Sequence, residues 1–213
     1  MPLVKTISDT AGMIGLWKIT EPVDLLEKQA PEGTLQQPSY LGMKNDRRRK
    51  EWLATRILLK IIAGDEAVIH YSKEGKPELQ HTRFKYISIS HSGAFVCIYL
   101  HEKLPVGIDI ECLSRNYNAI AGKYLADQEK TQVSEDPTLL CLYWCAKEAI
   151  FKLVKDNGID FRKQIHIKPF HPEQSRTLIA RFSVQDEEAY YELQFEAIED
   201  HFMVWATDQP IDY

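Results

Sequence analysis

Cysteine is scarce in this 213-residue sequence, which contains only Cys97, Cys112, Cys141 and Cys145. Each lies within a predicted strand or helix, and the spacing between them matches no zinc-ligand motif. Cys141 and Cys145 could share one helix face, but buried reduced thiols are the interpretation that we favour. We therefore expect a cytoplasmic protein without disulfides.

Long apolar runs and a surplus of basic residues are missing as well. No apolar run approaches the roughly 20 residues of a membrane-spanning helix, and residues Met1 to Lys5 lack the layout of a signal peptide. The net charge is −5, which argues against general nucleic-acid binding. With 44% hydrophobic and 27% charged residues, the sequence is otherwise typical of a globular protein without membrane or nucleic-acid partners.

A short strand over Val106–Glu111 carries the first candidate site. Side chains alternate along a strand, so Gly107, Asp109 and Glu111 share one face, with the two acidic residues roughly 7 Å apart. Two neighbouring anions repel each other, and a cation between them relieves the repulsion. Carboxylates together with water and phosphate oxygens suit Mg²⁺. The alternative is a solvated strand face next to a turn.

A long predicted helix over Thr138–Lys155 carries the second candidate site. Asp136 followed by Pro137 predicts its start. Trp144, Glu148 and Lys152 recur every four residues and therefore share a face. For Glu148 and Lys152, the alternative to a functional role is a weak surface ion pair.

A third feature is the basic start of a helix over Asp46–Ala63, with Asp46 as the predicted cap. Five cations crowd this helix end, where the helix dipole is already positive: Lys44, Arg47, Arg48, Arg49 and Lys50. A bound anion such as a phosphate would offset this repulsion. A solvated basic turn is the other possibility.

The strand sequence Gly107-Ile108-Asp109-Ile110-Glu111 and the helix sequence Trp144-Cys145-Ala146-Lys147-Glu148-Ala149-Ile150-Phe151-Lys152 together resemble the signature of the 4′-phosphopantetheinyl transferase superfamily. The resemblance implies the long, surfactin-synthetase-activator type. Its fold would be α+β with two similar halves, 1–105 and 106–213, related by a pseudo-twofold axis. Each half would pack a small antiparallel sheet on one long helix, with the active site between the halves, so the chain is expected to act as a monomer.

The resemblance also implies a reaction. The phosphopantetheine arm of coenzyme A would move to a serine of an apo acyl or peptidyl carrier protein, and adenosine 3′,5′-bisphosphate would leave. Asp109, Glu111 and Glu148 would hold Mg²⁺, and Lys152 would pair with a phosphate oxygen. Glu148 would take the serine proton directly or through water, and Lys147 would help to position phosphate.

The first half would supply contacts to the coenzyme. Basic residues of the Asp46–Ala63 helix would meet its phosphates, the candidates being Arg48, Arg49 and Arg56. Lys76 stands in a Gly-Lys-Pro tripeptide that is typical of the family. Ser90 and His91 match its Ser-His-Ser triplet, which contacts coenzyme phosphate.

Two rival functions stay open. One is a Mg²⁺-dependent pyrophosphate hydrolase, although the sequence has no Nudix-type box. The other is a carrier-binding homologue without catalysis, which we would expect to have lost a metal ligand. The sequence does not indicate which carrier is served.

Overall fold

Antiparallel sheets and helices make up both parts of the chain in a computed structural model, which describes residues 3–8, 11–154 and 158–213. The chain divides into two units, Met1–Lys103 and Leu104–Tyr213. Each unit has its own sheet and its own long helix. The predicted α+β class is confirmed. Within the described residues, no helix is both long and apolar enough to span a membrane.

The first unit is built on a four-stranded antiparallel sheet. Its helices are α1 (Val23–Gln29), α2 (Pro38–Leu41) and α3 (Asp46–Ala63), and its strands are β1 (Leu3–Ser8), β2 (Gly12–Lys18), β3 (Val68–Tyr71), β4 (Pro77–Gln80), β5 (Tyr86–Ser92) and β6 (Phe95–His101). The sheet order is β1-β2-β6-β5, and β3 and β4 form a separate hairpin. Helix α3 packs on β2 and β6 and buries its apolar side chains there.

Helix α3 has the predicted length but a different cap. The side chain of Asn45 accepts a hydrogen bond from the backbone N–H of Arg48 at 3.1 Å, so Asn45 caps the helix and Asp46 is its first residue. Gly64, with φ of 94°, follows the last helical residue, Ala63, which is the predicted end. Asparagine competes well for this position because its amide oxygen reaches an otherwise unpaired N–H of the first turn.

The second unit is built on a five-stranded antiparallel sheet. Its helices are α4 (Ala121–Tyr124), α5 (Asp127–Val133), α6 (Pro137–Val154) and α7 (Phe161–Gln164), and its strands are β7 (Val106–Cys112), β8 (Ile165–Ile167), β9 (Thr177–Val184), β10 (Glu187–Ile198) and β11 (His201–Thr207). The sheet order is β7-β11-β10-β9-β8. Helix α6 lies across β7 and β11. Its predicted last residue, Lys155, lies outside the described residues.

Strand β7 and helix α6 approach each other closely at Gly107. A Cβ atom at this position would lie only 2.0 Å from the carbonyl oxygen of Ala149 and 3.0 Å from the Cβ of Leu153. Glycine is therefore required here for contact with the helix, and the space beside it is filled rather than open. This contact holds the carboxylates of β7 against the charged side chains of α6.

Candidate active site

The second unit brings the two predicted motifs together. Asp109 projects from β7 and is only 3% exposed. Lys152 of α6 donates from Nζ to Asp109 Oδ1 at 2.7 Å and to the carbonyl oxygen of Ile108 at 3.1 Å. The strand and the helix are thus joined through a half-buried ammonium group and a buried carboxylate.

Glu111 is held by three donors from its own unit. Its Oε1 accepts from Trp144 Nε1 at 2.7 Å and from Arg115 Nη1 at 2.9 Å, and its Oε2 accepts from the Tyr117 hydroxyl at 3.2 Å. Burial, followed by repulsion from Asp109, raises the pKa of Glu111, whereas Trp144 and Arg115 lower it. Glu111 is therefore oriented by a ring of donors.

Glu148 has the most perturbed carboxyl group near these residues. Burial raises its pKa to about 7, the repulsion of Asp109 and Glu111 adds to the shift, and Lys152 opposes it. A carboxyl group that titrates near neutral pH is suited to general base catalysis. Its position one helical turn before Lys152 puts acid and cation on the same face.

The chemistry of this set fits a hard divalent cation. Asp109, Glu111 and Glu148 offer the oxygen ligands that Mg²⁺ prefers, and their mutual repulsion is of the kind that a cation relieves. The three do not gather their oxygens within 4.8 Å as a set in the described part of the chain. Instead, Asp109 pairs with Lys152 and Glu111 with Arg115.

Lys147 is placed away from these carboxylates. It is fully buried, and its Nζ donates to Glu129 Oε2 at 2.6 Å, to Tyr124 O at 2.7 Å and to Phe161 O at 3.0 Å. Glu129 in turn accepts from the backbone N–H of Ile167 at 2.8 Å. Lys147 therefore ties α6 to its neighbouring segments, and its ammonium group is not presented to a phosphate.

The three arginines at the basic start of α3 differ in whether they form an ion pair. Arg47 donates to Glu51 at 2.8 Å, and Arg49 donates to Glu27 at 2.7 Å while its guanidinium lies 5.1 Å from the ring centre of Tyr40. Arg48 is exposed, and its side chain forms no ion pair with any described residue. It is therefore the arginine of this cluster with the most freedom to meet an anion.

The other predicted coenzyme contacts of the first unit are spread over three elements. Arg56 is 7% exposed, and its guanidinium stacks 3.3 Å from the ring centre of Trp52, so that burial lowers its pKa to about 10. His91 is exposed near the end of β5, with Nδ1 3.6 Å from Glu51 Oε2, whereas Ser90 is buried. Lys76, just before β4, donates its backbone N–H to Ser72 Oγ at 3.3 Å.

Three residues around the site were not predicted from the sequence. Arg115 and Tyr117 contact Glu111 from the turn after β7, where no periodicity indicates the direction of a side chain. Glu129 is 2% exposed although it stands in a polar stretch of α5. The sequence signal that could have indicated a fixed position for Glu129 is its place three residues after Ala126, the residue before helix α5. From there it accepts the backbone N–H of Ala126 at 2.8 Å.

Comparison with known proteins gives concordant matches. Residues 105–208 match the sequence model of the 4′-phosphopantetheinyl transferase superfamily. The chain is similar to the 4′-phosphopantetheinyl transferase AcpT of Salmonella typhimurium, with 28% identity over 136 residues, which is 61% of this chain and 64% of the relative. It is similar to AcpT of Escherichia coli, with 28% identity over 134 residues, 60% of this chain and 62% of the relative. The match thus spans less than two thirds of the length of either relative.

Proposed function

We propose that this protein moves the 4′-phosphopantetheine arm of coenzyme A to a serine of an apo acyl or peptidyl carrier protein, on the ground that residues 105–208 match the sequence model of the 4′-phosphopantetheinyl transferase superfamily. The observation that carries the proposal is the joining of the two motifs within this segment. Lys152 contacts Asp109, and Glu148 is electrostatically coupled to Asp109 and Glu111. The names of the curated relatives describe the same activity.

In the proposed reaction the serine oxygen forms a bond to the phosphorus that carries pantetheine. The bond from that phosphorus to the bridging oxygen breaks, and adenosine 3′,5′-bisphosphate leaves. Mg²⁺ held by Asp109, Glu111 and Glu148 would supply charge neutralisation on the pyrophosphate. Lys152 would donate to a phosphate oxygen from its place beside Asp109, which adds to the electrostatic stabilisation of the transition state.

Glu148 is the proposed base for the serine proton, directly or through one water. Its pKa of about 7 gives a substantial unprotonated fraction at neutral pH and enough basicity to accept the proton. Binding of a cation would lower this pKa and so weaken the base. Glu111 is held by Arg115, Tyr117 and Trp144, which fixes its orientation as a ligand.

For the anionic end of coenzyme A we propose contacts from the first unit. Arg48 is the leading candidate because its exposed side chain forms no ion pair with a described residue. Lys76, Ser90 and His91 are further candidates. Arg49 and Arg56 are already engaged by Glu27 and by Trp52, which favours a supporting role for both.

The test is transfer itself. Purified protein is mixed with Mg²⁺, coenzyme A and apo carriers from fatty-acid, polyketide and peptide synthesis, and each carrier is weighed by intact mass spectrometry. A phosphopantetheine adduct is expected on at least one carrier, and it should be absent when the carrier serine is replaced by alanine or when EDTA is present.

Two results would favour the rival functions. Coenzyme A cleaved at its pyrophosphate without a carrier adduct would indicate a hydrolase. Carrier binding without any cleavage of coenzyme A would indicate a non-catalytic homologue. Glu148→Gln serves as the matched variant in either case, since it preserves the shape of the side chain and removes its basicity.

A further inference from the structure

A second cluster of metal-ligating side chains lies at one end of the five-stranded sheet. Cys112 is the last residue of β7, His201 is the first residue of β11, and the two are direct partners in the antiparallel register. Asp200 immediately precedes His201 in the turn that follows β10. A cross-strand pair and its neighbouring turn residue are held by the backbone ladder, so the three side chains meet at a defined place.

The three side chains are close enough to share one ion. Their ligand atoms all lie within 4.8 Å of one another. Cys112 Sγ is 3.4 Å from Asp200 Oδ2, and His201 Nδ1 is 2.7 Å from Asp200 Oδ1. Usual zinc–sulfur and zinc–nitrogen bond lengths put neighbouring tetrahedral ligands about 3.3–3.6 Å apart. Small side-chain movements would therefore suffice to bring the three groups around one metal.

We propose that Cys112, Asp200 and His201 form a site for a borderline divalent metal ion such as Zn²⁺. A thiolate, a carboxylate and a neutral imidazole are three of its usual protein ligands. The two negative charges match the charge of the ion. Asp200 is 63% exposed, which gives an ion access to the cluster from solvent and leaves room for a water molecule as the fourth ligand.

This site differs in chemistry from the one proposed for Mg²⁺ on the same strand. Glu111 and Cys112 are neighbours in β7, so their side chains leave opposite faces of the sheet. The carboxylates of the α6 face are hard ligands, whereas sulfur and imidazole select transition metals. The site is not indicated by any sequence motif, because Cys112 and Asp200 are 88 residues apart.

The experiment uses Co²⁺ as a spectroscopic stand-in for Zn²⁺. The reduced full-length protein is titrated with Co²⁺, and the thiolate-to-cobalt charge-transfer absorption is followed. One equivalent should produce this band, Zn²⁺ should abolish it at stoichiometric amounts, and excess Mg²⁺ should leave it in place. Asp200→Asn and Cys112→Ser should each weaken binding by more than about tenfold, and Cys112→Ser should also remove the band.

Matched variants separate the cluster from other groups of the chain. Asp186→Asn changes an exposed aspartate in the turn between β9 and β10 of the same sheet, and Cys97→Ser changes a thiol of the other unit. Both should keep the band and the affinity. In thermal unfolding, Zn²⁺ should raise the melting temperature of the wild type and not that of Asp200→Asn.

Three outcomes would overturn the proposal. They are the absence of a charge-transfer band in the wild type, a band that survives undiminished in Cys112→Ser, and a band lost equally in Asp186→Asn. None of them bears on carrier modification, which is measured separately, so failure of this site and failure of the transferase proposal can be told apart.

Discussion

Two lysines of the same helix show how little residue type alone reveals about role. Lys147 and Lys152 both belong to the α6 signature, yet Lys147 is fully buried against Glu129, while Lys152 is partly exposed beside Asp109. The difference arises from the direction in which each side chain leaves the helix. One ammonium group is part of the core, and the other lies in the proposed active site.

Replacement of Lys147 should therefore act on stability. Lys147→Met leaves the buried carboxylate of Glu129 without its cation, which costs about 3–5 kcal/mol when one partner of a buried pair is lost. Urea unfolding should show this loss. The double variant Lys147→Met/Glu129→Leu should recover part of it, since the backbone N–H groups of Ile167 and Ala126 then lose their acceptor. Lys163→Met is the control, with nearly normal unfolding, because the Lys163 side chain is 81% exposed. Equal free energies of unfolding for Lys147→Met and the control variant would contradict the assignment of Lys147 to the core.

Glu148 should couple stability to pH. Its pKa is raised from 4.5 to about 7 in the folded protein, so between these values the folded state holds a proton that the unfolded state has released. Stability must then fall as pH rises through this window, by up to about 3 kcal/mol. In EDTA, Glu148→Gln should be more stable than the wild type at pH 8, and the difference should shrink towards pH 4.5.

Urea unfolding of the two proteins at both pH values measures this coupling. Glu32→Gln, an exposed loop variant, should show no such pH-dependent difference. A stability difference between Glu148→Gln and the wild type that is constant from pH 4.5 to 8 would mean that Glu148 titrates normally.

Arg48 should govern the preference for the 3′-phosphate of the coenzyme. A charge-assisted contact is worth about 1.5–3 kcal/mol, so the wild type should show a KM for coenzyme A at least about tenfold below that for dephospho-coenzyme A. Arg48→Ala should reduce this ratio and leave the KM for dephospho-coenzyme A nearly unchanged. Arg49→Ala breaks the contact with Glu27 and should keep the ratio. If Arg48→Ala keeps the full KM ratio of the wild type, Arg48 does not contact the 3′-phosphate.

At the scale of elements, the contact between β7 and α6 sets the geometry of the site. The closest approach is at Gly107, whose position would force a Cβ atom into the carbonyl oxygen of Ala149. Any added side chain must push the strand and the helix apart. Asp109 stands two residues further along β7, so such a shift changes its distance from Lys152.

Gly107→Ala should lower both stability and activity. Overpacking of this kind costs about 1–3 kcal/mol, and transfer should fall with a larger effect on kcat than on KM. Gly122→Ala provides the control, because no atom lies within 4 Å of the added methyl group, and alanine favours the helix α4. Unfolding curves and steady-state rates of the two variants decide the matter. Equal stabilities and equal transfer rates of the two variants would show that β7 and α6 can accommodate a methyl group at Gly107.

The elements themselves were largely predictable from the sequence, because strong periodicity marks them. Helix α3 has the predicted bounds, and strand β7 extends one residue beyond its predicted end. The short helices α2 and α7 were not predicted, since four residues carry too little periodic signal. Among site residues, the alternation along β7 correctly indicated a shared face for Asp109 and Glu111. The buried partner of Lys147 could not be found, because it depends on the folding of α5 against α6.

At the scale of the molecule, the chain contains two units, each with its own sheet and long helix. The sequence predicts that a single chain suffices for activity. We therefore expect a monomer in sedimentation, with specific activity that stays constant on hundredfold dilution. An oligomer that loses specific activity on dilution would show that the site needs a second chain.

The buried pair of Lys147 and Glu129 has a consequence for how the second unit finds its fold. Helix α6 presents apolar side chains on most of its surface, and such a helix could settle on the sheet in several rotations of similar energy. A rotation by one residue would bury the ammonium group without its acceptors, at a cost of several kcal/mol. Glu148 is the next residue, so the same rotation would also turn it away from β7. Together with the close approach at Gly107, this buried charge disfavours docking arrangements other than the one in which the proposed base faces Asp109.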